Sequence, residues 1–198
     1  MSYTEGTFAA LVDALIPETP ELAERGEEHV PGGLEVGLEE AVVDRVNNFV
    51  EAHGLAALAG DTVPMAPVVA ALLDAAAAEL LVRRRSEDGL QSPEDEFAIG
   101  PFSRLGRADR LRALRLLEDE GVVAELSERF DAASLGTVQF LASSLPILVE
   151  FVYYSEATAG PEEARSQGWR QAAYPGPADG YEVLLGYEFE SFEENEYE

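Results

Sequence analysis

Cysteine is absent from all 198 residues, and so is lysine, which leaves arginine as the only strong base among the 13 basic positions. Without cysteine there is no disulfide framework, no thiolate nucleophile and no thiolate metal site. With 39 Asp and Glu the formal charge is -26, so the basic footprint that nucleic-acid phosphates demand is missing and no nucleic acid is expected as a partner. A surface this negative repels itself in dilute buffer, and large net charge is a device by which halophilic proteins stay soluble. Losing lysine while keeping arginine removes long apolar stems and retains the fork that pairs carboxylates bidentately. The composition therefore implies a halophilic organism and a high-salt cytoplasm.

Catalytic motifs are lacking as well. HEXXH, GXSXG, the P-loop and the dinucleotide fingerprint do not occur. His29 and His53 have no Cys, Ser or carboxylate pattern around them that would make a triad or a metal site, and PGGLEVG at 31–37 reads as a turn. Acidic groups such as Glu39 with Glu40, or Glu118 with Asp119 and Glu120, arise in so acidic a chain without purpose. No catalytic, cofactor-binding or metal residue is assigned to this chain.

What the chain does have is helical periodicity. Phe8, Leu11, Val12, Leu15 and Ile16 form the apolar stripe of a helix that Pro17 stops. The opening residues MSYTEGTF lack a basic n-region, so a signal peptide is not expected. Residues 17–33 read as a long mobile loop, and 34–52 as a second helix with Leu38, Val42, Val46, Phe49 and Val50 inward. A third helix over 65–85 places Val68, Val69, Leu72, Leu73, Ala76 and Leu80 on one face, closed by Arg83, Arg84 and Arg85 at the end where positive charge suits the dipole. After a polar loop at 86–102, helices are expected over 107–120 and 121–130.

The most apolar element is 134–154, where Val138, Leu141, Leu145, Leu148 and Val152 step by 3 and 4 while Phe140, Ile147 and Phe151 fill much of the remaining circumference. A helix apolar nearly all round is expected to be buried on most sides. Gln139, Ser143, Ser144, Pro146 and Glu150 punctuate it, so it is not expected to span a membrane. Glu150 is expected to be partly buried and paired with an arginine of the 104–115 cluster. Eight of the thirteen arginines lie between 83 and 115, either paired internally or forming a positive patch for an acidic partner.

Residues 181–189, YEVLLGYEF, alternate at period 2 like a strand, yet nothing else in the chain offers a clear strand partner. They read as an extended arm laid over the helices or an edge offered to another protein. The expected architecture is all-α: an irregular multi-helix bundle around the apolar helix at about 134–154, a single domain over 1–180, then an extended C-terminal arm and acidic tail over 181–198.

The order of features carries a resemblance. The N-terminal TFAALVDALIPET, the VPGG turn, and a long apolar helix leading into FVYYSEATAG and then GWRQAAYPGPADG together resemble the gluconate 2-dehydrogenase subunit 3 family. The matching positions are Leu11, Asp13, Ala14, Leu15, Ile16 and Pro17 at the start, and Tyr153, Tyr154, Ser155, Gly168, Trp169, Tyr174, Pro175, Gly176 and Pro177 at the end. The resemblance implies a small helical subunit, itself without cofactor, that accompanies a large flavin-dependent dehydrogenase of the glucose-methanol-choline type, with FAD in the partner. Family members often carry a twin-arginine export signal; here the triple arginine at 83–85 is internal, which leaves assembly, stabilisation or another contact with the flavoprotein as the expected role in place of export.

The aromatics around the Gly-Pro turns offer large contact area at little entropic cost, so Tyr153, Tyr154, Trp169, Tyr174, Pro175, Gly176 and Pro177 are the expected partner-binding residues. The competing expectation is that they seal the C-terminal arm onto the protein's own core. Two other functions stay open: a stand-alone helical binding or structural protein, and an enzyme using Glu150 with a neighbouring tyrosine.

Overall fold

The computed structural model describes residues 2–51, 64–84, 97, 99–118, 135–155 and 165–174, and these are all-α, with no strand among them. Helix α1, Tyr3–Leu15, starts in a capping box: the Ser2 hydroxyl accepts from the Glu5 N–H at 3.3 Å, and the Ser2 N–H donates to Glu5 Oε2 at 2.7 Å. It ends at Ile16, which has left the helical region at φ -129° because the following Pro17 disfavours helical backbone there. Phe8, Leu11 and Val12 are fully buried as the stripe predicts, but so are Ala9, Ala10 and Ala14. Small side chains on the second face let further helices approach, and α1 packs against every long helix named below.

Residues 17–33 differ from the expected mobile loop. They fold into tight turns at Pro20–Arg25 and Glu27–His29, clasped where the Thr19 hydroxyl donates to His29 O at 2.6 Å and the Thr19 N–H to Val30 O at 2.9 Å. The second helix begins later than the expected 34. Leu34–Val36 is a separate 3-10 turn ended by Gly37 in the left-handed region at φ +66°, and α2 runs Leu38–Glu51. Leu38, Val42 and Val46 face inward as expected.

Helix α3, Met65–Arg84, opens with Asn47 of α2 accepting the Ala66 N–H at 2.9 Å, a cap supplied from a neighbouring helix. Pro67 falls in the first turn, where its missing N–H costs nothing. Val69, Ala70, Leu72, Leu73, Ala76, Ala77 and Leu80 are buried against α1, α2 and α4. Among the described residues α3 is long and apolar enough to cross a membrane, yet it supplies much of the core of this bundle.

The stretch expected as a polar loop over 86–102 contributes Phe97 and Phe102 to the core, and Asp74 of α3 anchors it by accepting the Phe102 N–H at 2.8 Å. The same carboxylate accepts the Tyr3 hydroxyl at 2.7 Å. Helix α4, Arg107–Glu118, buries Leu114 and Leu117 and half-buries Leu111. Helix α5 is Leu135–Tyr153, packed on α2 and α4, and α6, Gln167–Gln171, rests on the Glu27–His29 turn, where the Gln167 amide donates to Glu28 O at 2.5 Å. The helix expected over 121–130, His53 and the arm at 181–198 lie outside the described residues.

Four of the cluster's eight arginines bond within the described bundle, while Arg104 and Arg115 lie exposed. Arg110 is fully buried, donates to Asp13 Oδ2 at 2.7 Å and to Ser103 O at 3.2 Å, and lies over the Phe97 ring at 5.2 Å. Arg107 donates to Ala14 O at 3.1 Å, Arg112 pairs with buried Asp109 at 2.7 Å, and Arg83 pairs with Glu79 at 2.8 Å. Asp13 and Arg110 thus lock α1 to α4.

Candidate docking face

Helix α5 divides its apolar circumference in two. Leu145, Val149, Val152 and Tyr153 are buried, while Phe140, Ile147, Phe151 and Tyr154 are 53%, 69%, 56% and 50% exposed. The exposed four step by 7, 4 and 3, which at 3.6 residues per turn holds them within about 60° of arc. Burial on most sides, expected from composition, is therefore incorrect: helices α2 and α4 cover one side of α5, and four large apolar residues, interrupted by Ser143 and Ser144, face away from them. Such a stripe marks an interaction surface more readily than scattered apolar residues do. The guanidinium of Arg45, on α2, lies over the Phe151 ring at 5.4 Å and gives the stripe a positive edge.

Glu150 also departs from expectation. It is exposed, and no ion pair to it occurs among the described residues. The α5 backbone turns it outward beside Ile147 and Phe151, away from Arg110, whose partner is Asp13.

At its C-terminal end the stripe meets the cluster expected to bind a partner. Tyr153 and Tyr154 are adjacent in an edge-to-face pair at 5.3 Å, but successive helical residues point in different directions and Tyr153 is buried. Tyr153 consequently supports the face from behind instead of presenting itself, and burial, with the neighbouring Tyr154, pushes its phenol up to about 12.

Ser166 caps α6 by accepting the Trp169 N–H at 3.3 Å. Gly168 lies so close to Tyr153 O and the Tyr154 ring that a Cβ there would collide with both. That approach lets the Trp169 indole N–H donate to Tyr154 O at 2.6 Å, satisfying one of the orphan carbonyls at the end of α5. Ala173 takes a left-handed φ of 51°, which folds Tyr174 back edge-to-face on Trp169 at 5.0 Å. Trp169 is half-buried and Tyr174 exposed. Pro175, Gly176 and Pro177 lie outside the described residues.

The structure thus joins Tyr154, Trp169 and Tyr174 into one exposed corner and places Tyr153 beneath it. Sequence reasoning missed Phe140, Ile147 and Phe151 as surface residues. Their heptad-like spacing was visible, but periodicity alone does not say which of two apolar stripes a partner helix covers. No group of three or more metal-ligating side chains occurs among the described residues. No family model, curated protein or solved structure matches this chain.

Proposed function

We propose that this chain is a non-catalytic small subunit that binds, and so stabilises or assembles, a large FAD-dependent dehydrogenase of the glucose-methanol-choline type in the high-salt cytoplasm of a halophilic organism. The observation that carries the reading is the set of exposed aromatic and aliphatic residues on one side of α5, Phe140, Ile147, Phe151 and Tyr154, with Tyr174 beside its end. The family resemblance supplies the identity of the partner. Aromatic side chains held rigid by packing and backbone hydrogen bonds, as Trp169 and Tyr154 are, have the preorganisation that interface anchors need. The carboxylate-enzyme alternative is weakened by Glu150, which is exposed on the outer side of α5 instead of enclosed with a neighbouring tyrosine.

The test is capture of partners by the tagged chain from its native host in high-salt buffer, followed by a flavin absorbance spectrum and mass identification. A yellow, stoichiometric large partner is the expected result. A colourless monomer under the same conditions would leave the helical-binding-protein alternative standing.

A further inference from the structure

We propose that the exposed side of α5 seats an amphipathic helix of the partner, packed knobs-into-holes. Along that side Phe140, Ser143, Ser144 and Ile147 stand at i, i+3, i+4 and i+7, and Ile147, Glu150, Phe151 and Tyr154 repeat the spacing one heptad later. Four residues so spaced form the hole into which a facing helix inserts one side chain. Two holes that share Ile147 are about 10.5 Å apart, the rise between side chains seven apart on another helix. An extended segment, whose same-side residues recur every ~6.7 Å, does not keep that step.

The first hole is deep because two of its corners are serines. Both hydroxyls turn back onto their own helix, Ser143 Oγ donating to Phe140 O at 3.1 Å and Ser144 Oγ at 2.6 Å. The hole therefore takes a large apolar side chain between Phe140 and Ile147, both exposed. The second hole is shallower and charged at its margins. Glu150 is exposed at one corner, while the next corner, Phe151, carries the Arg45 guanidinium over its ring at 5.4 Å. Successive residues on a helix diverge by about 100°, so Glu150 and the Phe151 corner where Arg45 sits lie on opposite margins.

The occupant that fits has two large apolar residues seven apart, a carboxylate on one flank to meet Arg45 and a basic residue on the other to meet Glu150. Flanking charges of this kind set partner choice and orientation between paired helices. A second copy of the chain is the less favourable occupant, because two surfaces from chains of charge -26 repel each other. The docked helix rests on the subunit reading only for which protein supplies it.

The probe is a stapled helical peptide with two leucines seven apart, glutamate on one flank and arginine on the other, titrated against the full chain in high-salt buffer by fluorescence anisotropy. It should bind saturably, and a control with one leucine moved to the opposite side of the helix should bind about tenfold more weakly. Ser143→Phe fills the first hole, and Ile147→Asp charges the wall that both holes share. Each position is exposed, so each variant should keep its helical circular dichroism while losing about tenfold or more in peptide affinity. Arg45→Glu should shift the preference to a peptide with arginine on both flanks. Lack of saturation, equal binding of the control, or unchanged affinity in both α5 variants would overturn the proposal. So would a doubled mass of the free chain that Ile147→Asp reverses, which assigns the face to a second copy. Peptide binding without a captured flavoprotein would keep the docked helix and end the subunit reading, whereas flavoprotein capture undiminished by Ser143→Phe would do the reverse.

Discussion

Helices α1 and α5 are both rich in large apolar residues, yet the bundle treats them differently. Around α1 four helices close in, and Phe8, Leu11 and Val12 disappear along with the alanines on its other side. Around α5 the cover stops halfway, leaving Phe140, Ile147 and Phe151 outside. Apolar character locates a helix at an interface, and only the arrangement of its neighbours says whether that interface is the protein's own core.

The sharpest way to break this comparison is to truncate one phenylalanine from each helix. Phe8→Ala should cost about 3–5 kcal/mol, the range for an aromatic removed from a core. Phe151→Ala should cost about 1 kcal/mol or less, reflecting chiefly its contact with Arg45. Denaturant titration in molar salt measures both, and equal losses would remove the distinction between the helices.

The clamp on α1 predicts the next largest effect. Asp13→Ala removes the carboxylate counter-charge of fully buried Arg110 and should cost about 3 kcal/mol. Adding Arg110→Met to Asp13→Ala should recover part of the loss, because an apolar residue needs no counter-charge there. A double variant less stable than the single one would show that Arg110 acts through Ser103 and Phe97 more than through Asp13.

Much of α1 and α3 was legible because their apolar spacing coincides with what is buried, and Pro17 stops α1 where proline chemistry says it should. Less legible was 17–33, since Pro and Glu composition resembles a loose loop while its order comes from backbone hydrogen bonds such as Thr19 to Val30. The start of α2 was misplaced because Gly37 interrupts a run that otherwise reads as helix. Arg110 was one of eight clustered arginines whose partners were unassigned, because nothing local reveals that Asp13, 97 residues away, meets it in the core. At the candidate face, the sequence flagged Tyr154, Trp169 and Tyr174 through their clustering near turns, but could not separate Tyr153 from Tyr154.

The smallest predicted effect concerns Glu39 in the first turn of α2. Burial, with Glu40 and Glu35 nearby, holds its carboxyl above the usual carboxylate range. A folded-state pKa above the unfolded one favours folding while the group is protonated, and that contribution is lost as pH rises through the folded value. Glu39→Gln should therefore raise the melting temperature at neutral pH, with the gain shrinking below the ordinary glutamate range. Paired thermal melts at the two pH values read this, and an unchanged gain at low pH would point to packing instead of charge.

The most direct test of the docking face is a charge placed in its middle. In high-salt buffer, Phe151→Asp should keep the wild-type helical circular dichroism and elution volume, while capture of the proposed flavoprotein partner from the native host is lost. Undiminished capture by a folded Phe151→Asp chain would contradict the account, and so would collapse of the fold on making that substitution, because either result would mean that α5 has no outward face given to a partner.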